Sequence, residues 1–88
     1  MLFFAVKDTV TGGFPFYLHC QTVDELKRVI GDVLQDNNHQ ISRHFKDYQV
    51  YKVGEFDDKE LKVVDSDFTF LFNVQEIYEL LHGKTKKK

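Results

Sequence analysis

Basic and aromatic side chains are interleaved over a short stretch in the middle of the chain. They are Arg43, His44, Lys46, Tyr48, Tyr51 and Lys52. Proteins that hold single-stranded nucleic acids combine cations, which contact phosphates, with aromatic rings, on which the bases stack. These residue types are compatible with non-catalytic binding of a single strand. The residues alone favour the alternative that Tyr48 and Tyr51 both belong to a hydrophobic core or a dimer interface, because aromatic side chains in strands usually pack.

A β-strand must position this set, because residues 48–53 are dense in aromatic and β-branched side chains. Successive side chains of a strand point to opposite faces, so Tyr48 and Lys52 share one face. Tyr51 and Val53 share the other. If the first helix covers Tyr51 and Val53, then Tyr48 and Lys52 face outward.

Four further cations stand at the C-terminus. They are Lys84, Lys86, Lys87 and Lys88. We expect residues 84–88 to be a disordered tail that tethers DNA by charge alone, and the alternative is a role in solubility only. The net charge of −2 argues against a nucleic-acid partner. However, six acidic residues lie between Glu55 and Asp67, so the charge is segregated and a basic face is compatible with the sequence.

Motifs for catalysis and for cofactor binding are absent from the sequence. It holds no phosphate-binding loop, dinucleotide fingerprint or nucleophile elbow. The four histidines and the acidic residues after Gly54 lack metal-ligand spacing. The single cysteine, Cys20, excludes an internal disulfide, and we expect it to be a small buried hydrophobe that points away from His19. We therefore predict no enzyme activity, no catalytic or metal-binding residue and no cofactor.

The segments around these residues predict one α+β domain over residues 1–83, in the order β-β-α-β-β-β-α. We expect a small, mostly antiparallel sheet with the helices packed on one face. The predicted strands are residues 2–6, 14–19, 48–53, 61–64 and 68–72. Thr22 with Glu25, and Asn73 with Glu76, predict capping boxes at the starts of two helices. Gly31 predicts a close approach of the first helix to the sheet.

Aromatic residues are numerous for a chain of 88 residues, with nine Phe and four Tyr. Each of these rings carries a large apolar area. A small domain does not need all of them in its core. A surplus of rings therefore indicates an interface.

Three segments also carry a resemblance to a known family. They are Asp47-Tyr48-Gln49-Val50-Tyr51-Lys52-Val53-Gly54-Glu55-Phe56-Asp57-Asp58, Phe3-Phe4-Ala5-Val6-Lys7-Asp8 and Pro15-Phe16. In this order they resemble a small non-structural protein of gokushovirus-type microviruses, which are phages with single-stranded DNA genomes. The resemblance covers residues 2–64. The chain departs from the family at Phe45-Lys46, where His-Pro is usual.

The resemblance implies a DNA-binding protein of genome replication or single-strand production, with single-stranded DNA as its partner. The expected contacts are Arg43, Lys46, Tyr48, Tyr51, Lys52 and the four tail lysines. The second hypothesis is a protein-interaction module, either a homodimer or an adaptor for a phage or host replication protein. The lone cysteine and the lack of a basic leader or a membrane-spanning segment predict the host cytoplasm and no membrane partner.

Overall fold

The chain places its longest strand at the centre of a five-stranded antiparallel sheet. The computed structural model describes residues 1–57, 59–64 and 68–82. The elements are β1 (Leu2–Asp8), β2 (Phe16–Cys20), α1 (Val23–Leu34), α2 (Gln40–Arg43), a 3₁₀ turn (Phe45–Asp47), β3 (Tyr48–Asp57), β4 (Lys62–Val64), β5 (Thr69–Asn73) and α3 (Val74–His82). The predicted α+β class and the predicted element order are confirmed, with α2 as an addition.

Strand β3 is paired along both of its edges. The sheet order is β2-β1-β3-β4, and β5 also pairs with β3. Tyr51 is paired with Ala5 of β1 and with Phe70 of β5. Glu55 is paired with Leu2 of β1 and with Val64 of β4. Strands β4 and β5 therefore follow one another along the edge of β3 that lies opposite β1.

The two faces of the sheet differ in what covers them. Cross-strand partners share a face, so the register sorts the side chains of every strand into two sets. One set packs against the helices and forms the core. Its buried members on the strands are Phe4, Val6, Cys20, Tyr48, Val50 and Phe72, and the helices add Leu26, Ile30, Leu34, Ile41, Val74 and Ile77. The helices thus lie on one face of the sheet, as predicted.

Side-chain caps fix the starts of the two longer helices. Thr22 Oγ1 accepts a hydrogen bond from Glu25 N at 3.1 Å, as the capping box predicts. The Glu25 carboxylate accepts from Gln21 N at 2.7 Å, so it reaches one residue further back than the predicted Thr22 N–H. At α3, Glu76 accepts from Asn73 N at 3.2 Å, as predicted.

Gly31 lies where two helices meet. A Cβ placed on Gly31 would lie 3.9 Å from Leu81 Cδ1 of α3, with no sheet atom within 4 Å. The predicted close approach of α1 to the sheet at this residue is therefore wrong. The sequence pattern showed that the helix carries a small residue, but α3 supplies the neighbour.

The predicted domain end at residue 83 and the predicted tail, residues 84–88, lie outside the described residues. Within the described ranges, no helix is both long enough and apolar enough to cross a membrane.

Candidate functional site

The face of the sheet turned away from the helices is rich in aromatic rings. The register places these residues on it: Phe3, Ala5, Lys7, Tyr17, His19, Gln49, Tyr51, Phe56, Val63, Phe70 and Asn73. Phe14 and Phe68, which precede β2 and β5, add two more rings through their contacts with Tyr51. We call this surface the open face.

A first group of rings lies over the β2 side of the open face. It consists of Phe3, Tyr17, His19 and Phe56, and we call it the first ring cluster. Phe3 is its centre, with ring centroids 5.8 Å from Tyr17, 4.9 Å from His19 and 6.2 Å from Phe56. His19 stacks on Phe56 at 4.5 Å with an interplanar angle of 13°. Three strands thus contribute to one cluster.

A second group lies over the β5 side. It consists of Phe14, Tyr51, Phe68 and Phe70, and we call it the second ring cluster. Tyr51 is its centre and stacks on Phe68 at 4.6 Å with an interplanar angle of 7°. Phe70 and Phe14 meet Tyr51 edge-on at 5.6 and 6.0 Å. The Tyr51 hydroxyl donates to Gln49 Oε1 at 3.1 Å, which holds the ring in place along the strand.

Ala5 joins the two clusters. It is paired with Tyr17 of the first cluster and with Tyr51 of the second, and it is buried. Three Phe and Tyr rings among the described residues of the open face remain well exposed: Tyr17 at 60%, Phe68 at 57% and Phe70 at 45%. The result is two aromatic clusters on one face of the sheet, spread across four strands, with rings available for contact.

The open face carries no carboxylate at the strand positions that the register assigns to it. Its charged residue is Lys7, which is half-buried beside Gln49, and His19 is exposed. Two acidic residues at the ends of these strands accept hydrogen bonds from backbone N–H groups. Asp8 accepts from Val10 N at 2.9 Å, and Asp57 accepts from Lys59 N at 3.0 Å, so both carboxylates fix turns. At the described strand positions of the open face, a polyanion therefore meets neutral or basic side chains.

Comparison with known proteins identifies the family. The profile of a family described as "Phage ORF5 protein" matches residues 1–77. The chain belongs to the phage ORF5 protein family. No curated protein and no solved structure matches it. The phage part of the resemblance noted in the sequence is therefore confirmed for this phage ORF5 protein.

Tyr48, a predicted contact residue, is a core residue. Only 2% of it is exposed, its hydroxyl accepts from Gln40 Nε2 at 2.7 Å, and its ring meets Phe16. The prediction that Tyr48 faces outward is wrong because the helices cover the Tyr48 and Val50 side of β3. Tyr51 lies on the opposite side and is the predicted ring that the open face retains.

The predicted cations lie in different places. Arg43 and Lys46 are exposed and flank Phe45, whose ring stacks on Tyr78 of α3 at 3.7 Å, so both belong to the helical layer. Lys52 is half-buried and is paired with Phe4, on the helix side of β3 by register. The structure therefore does not bring these three cations onto the open face. Lys84, Lys86, Lys87 and Lys88 lie outside the described residues.

Sequence reasoning missed most of the rings of the open face. Phe3, Phe14, Tyr17, Phe56, Phe68 and Phe70 belong to four separate segments that only the sheet topology brings together. The signal in the sequence was the surplus of aromatic residues, which indicated an interface without locating it. Local alternation did not find these residues because both faces of β1 and β3 carry apolar side chains.

Metal-binding groups and nucleophiles are the other side chains that could carry chemistry. Among residues 1–57, 59–64 and 68–82, no group of three or more His, Cys, Asp or Glu side chains could hold a metal ion. Cys20 is buried, as predicted, and His19 points to the other face. Burial, and to a lesser degree the Glu25 carboxylate, raises the pKa of the Cys20 thiol. The thiol is therefore held in its protonated, less reactive form.

Proposed function

We propose that this phage protein binds single-stranded DNA, without catalysis, on the open face of its sheet during genome replication or single-strand production. The observation that supports this most strongly is the pair of aromatic clusters on one face of the sheet, where the described strand positions carry no carboxylate. The resemblance of residues 2–64 to gokushovirus proteins adds a reason to choose a single-stranded phage genome as the ligand.

Base stacking supplies the affinity in this proposal. Tyr17, Phe68 and Phe70 present rings to solvent, and stacking on such rings contributes about 1–3 kcal/mol per base. Tyr17 on β2 and Phe70 on β5 are three strand spacings apart, or about 14 Å. This distance leaves room for more than one base. Duplex DNA buries its base faces in the stack, so a single strand is the preferred form.

Phosphate contacts come from cations around the rings. Lys7 lies on the open face, whereas Lys52 lies on the helix side of β3 and is not expected to reach phosphates at the rings. The lysines at positions 84–88 need only charge, and not a fixed geometry, to add to the attraction. Arg43 and Lys46 belong to this set only if the strand continues over the end of the sheet where β3 begins.

A titration of a fluorescent, unstructured oligonucleotide at low salt tests the proposal, with duplex DNA of the same length as the comparison. Phe70→Ala is expected to weaken single-strand binding about fivefold or more, from the loss of one stacking ring. Leu81→Ala on α3 is the matched control, because Phe70 and Leu81 are both 45% exposed and both changes remove apolar side chain. Equal effects of the two changes, or tighter binding of the duplex, would contradict the proposal.

The second candidate is a protein-interaction module, in which the open face holds a phage or host replication protein. The large exposed rings favour it, because exposed apolar patches often mark protein interfaces. Salt separates the two candidates. Binding of a single strand weakens steeply as salt rises, by a slope of about 0.7 per phosphate contacted, whereas contact with apolar rings does not. A chain that shifts no oligonucleotide at low salt favours the protein partner.

A further inference from the structure

Strand β2 forms one complete edge of the sheet. It pairs with β1 from Phe16 to Cys20, and within the described residues no backbone hydrogen bond joins its other edge to another segment. Its sequence, Phe16-Tyr17-Leu18-His19-Cys20, contains no Lys, Arg, Asp or Glu. An uncharged edge strand offers unpaired N–H and C=O groups to another strand, and proteins usually blunt such edges with charge.

The opposite edge is interrupted. Strand β5 pairs with residues 49–52 of β3 and β4 pairs with residues 55–57, so the edge consists of two short pieces. The β5 piece contains a register shift opposite Val50 and Tyr51, and α3 begins at the next residue after it. The β4 piece contains Lys62, which forms an ion pair with Glu60 at 3.0 Å. Edge-to-edge pairing is therefore favoured at β2.

We propose that two copies of the chain pair antiparallel through their β2 strands, with the two-fold axis at Leu18. This register sets Leu18 opposite Leu18 of the second copy, and Tyr17 opposite His19 of the second copy. Such an interface is isologous, because the same strand serves both chains. It joins the two five-stranded sheets into one continuous sheet.

Side-chain complementarity supports this register. Tyr17 and His19 lie on the open face, where Phe3 already contacts both rings at 5.8 and 4.9 Å within one chain. Pairing therefore extends the first ring cluster of one copy into that of the other. On the helix side, it sets Phe16 opposite Cys20 of the second copy, so both positions of this pair are apolar. On both faces of the proposed interface, the side chains paired across the two β2 strands are therefore similar in polarity.

The proposal is independent of nucleic-acid binding, because it rests on the edge of β2 alone. Its test is the oligomeric state of the full chain without oligonucleotide, measured by sedimentation velocity and light scattering. We expect a mass of twice the 10.4 kDa of one chain. A chain that stays at 10.4 kDa up to millimolar concentration would overturn the proposal.

Two double variants sharpen the test. Tyr17→Glu with His19→Glu puts two like-charge pairs across the interface, and Tyr17→Lys with His19→Lys does the same with the opposite sign. Both positions are exposed, so the fold should persist, and circular dichroism checks this. Each variant alone is expected to be a monomer, and an equimolar mixture is expected to restore the dimer. Variants that dimerise alone, or a mixture that stays monomeric, would contradict the register.

A disulfide variant gives an answer even where the charged variants do not fold. In the proposed register the two Leu18 Cα atoms are about 4.5–5.5 Å apart, which is within disulfide reach. Leu18→Cys with Cys20→Ala is therefore expected to form a covalent dimer quickly under mild oxidation. Val10→Cys with Cys20→Ala is the control, since Val10 is 73% exposed but lies away from β2. Equal rates of cross-linking in the two variants would overturn the proposal.

Discussion

Replacing Tyr51 with leucine separates the proposed binding role of the open face from its role in folding. Tyr51 is the centre of the second ring cluster, with Phe68 stacked on it at 4.6 Å and Phe70 edge-on at 5.6 Å. Leucine keeps an apolar side chain in the half-buried site but removes the ring. Aromatic pairs contribute about 0.5–1.5 kcal/mol beyond their buried area, so we expect a loss of about 1 kcal/mol in unfolding free energy.

The expected loss in binding is larger than the loss in stability. Tyr51 holds the exposed rings of Phe68 and Phe70 in place. If one base can no longer stack on them, the cost is about 1–3 kcal/mol, which weakens the affinity for a single strand about 5- to 150-fold. Fluorescence anisotropy with an unstructured labelled oligonucleotide at low salt measures this change. Urea unfolding of the same sample measures the stability, and the folded fraction then corrects the affinity.

Tyr48→Phe is the matched control for this experiment. Tyr48 stands three residues earlier on the same strand but faces the core, and the change removes only the hydroxyl that accepts from Gln40 Nε2 at 2.7 Å. The loss of one such hydrogen bond costs about 1 kcal/mol of stability, which is similar to the effect of Tyr51→Leu. Affinity should stay unchanged. If Tyr51→Leu binds the oligonucleotide within twofold of the unaltered chain, or if both variants lose affinity equally, base stacking on the second ring cluster is refuted.

Three further changes test other parts of the structure. Gly31→Ala should raise the unfolding free energy by about 0.5–1 kcal/mol in a urea titration, because a Cβ there meets only Leu81 Cδ1 at an ordinary 3.9 Å, and a loss of stability would show that the two helices are closer. Because burial raises the pKa of the Cys20 thiol above its ordinary value, the thiol's contribution to stability is complete below the unfolded pKa of about 8.5 and is lost as the pH rises through the folded pKa. Unfolding free energies measured at about pH 7 and pH 10 should therefore show a smaller drop for Cys20→Ala than for the unaltered chain, and an equal drop would contradict the assignment. Deletion of residues 84–88 should reduce the salt slope of oligonucleotide binding by about 0.7 for each phosphate that the tail had neutralised, and an unchanged slope excludes the tail from binding.

Local sequence patterns predicted the elements of this fold well. The dense aromatic and β-branched residues from 48 to 53 marked the central strand, and Thr22 and Asn73 marked the starts of α1 and α3. These features are encoded within a few residues, so a single segment is enough to recognise them. The hydrogen bonds of the caps show that the local chemistry is the same in the folded chain, apart from the shift of the Glu25 bond to Gln21 N.

The choice between the two faces of β3 could not be made from the strand itself. Tyr48 and Tyr51 are the same residue type on opposite faces, and the alternation fixes only that they differ. The contacts of α3 and α1 decide which one is buried, and these contacts depend on residues 26–34 and 74–77, far along the chain. Phe14 and Phe68 were missed for a related reason, because each reaches the open face from a segment beside a strand.

The net negative charge of the chain does not describe the field at the open face. Several carboxylates are held by backbone N–H groups at turns and helix starts, including Asp8, Glu25, Asp57 and Glu76. Asp8 and Asp57 lie outside the open face by register, and Glu25 and Glu76 lie on α1 and α3. Exposed charges more than about 8–10 Å from a ligand are largely screened at physiological salt. For the proposed single-strand binding, Lys7, which shares the open face with the rings by register, is therefore expected to matter more than the total of −2.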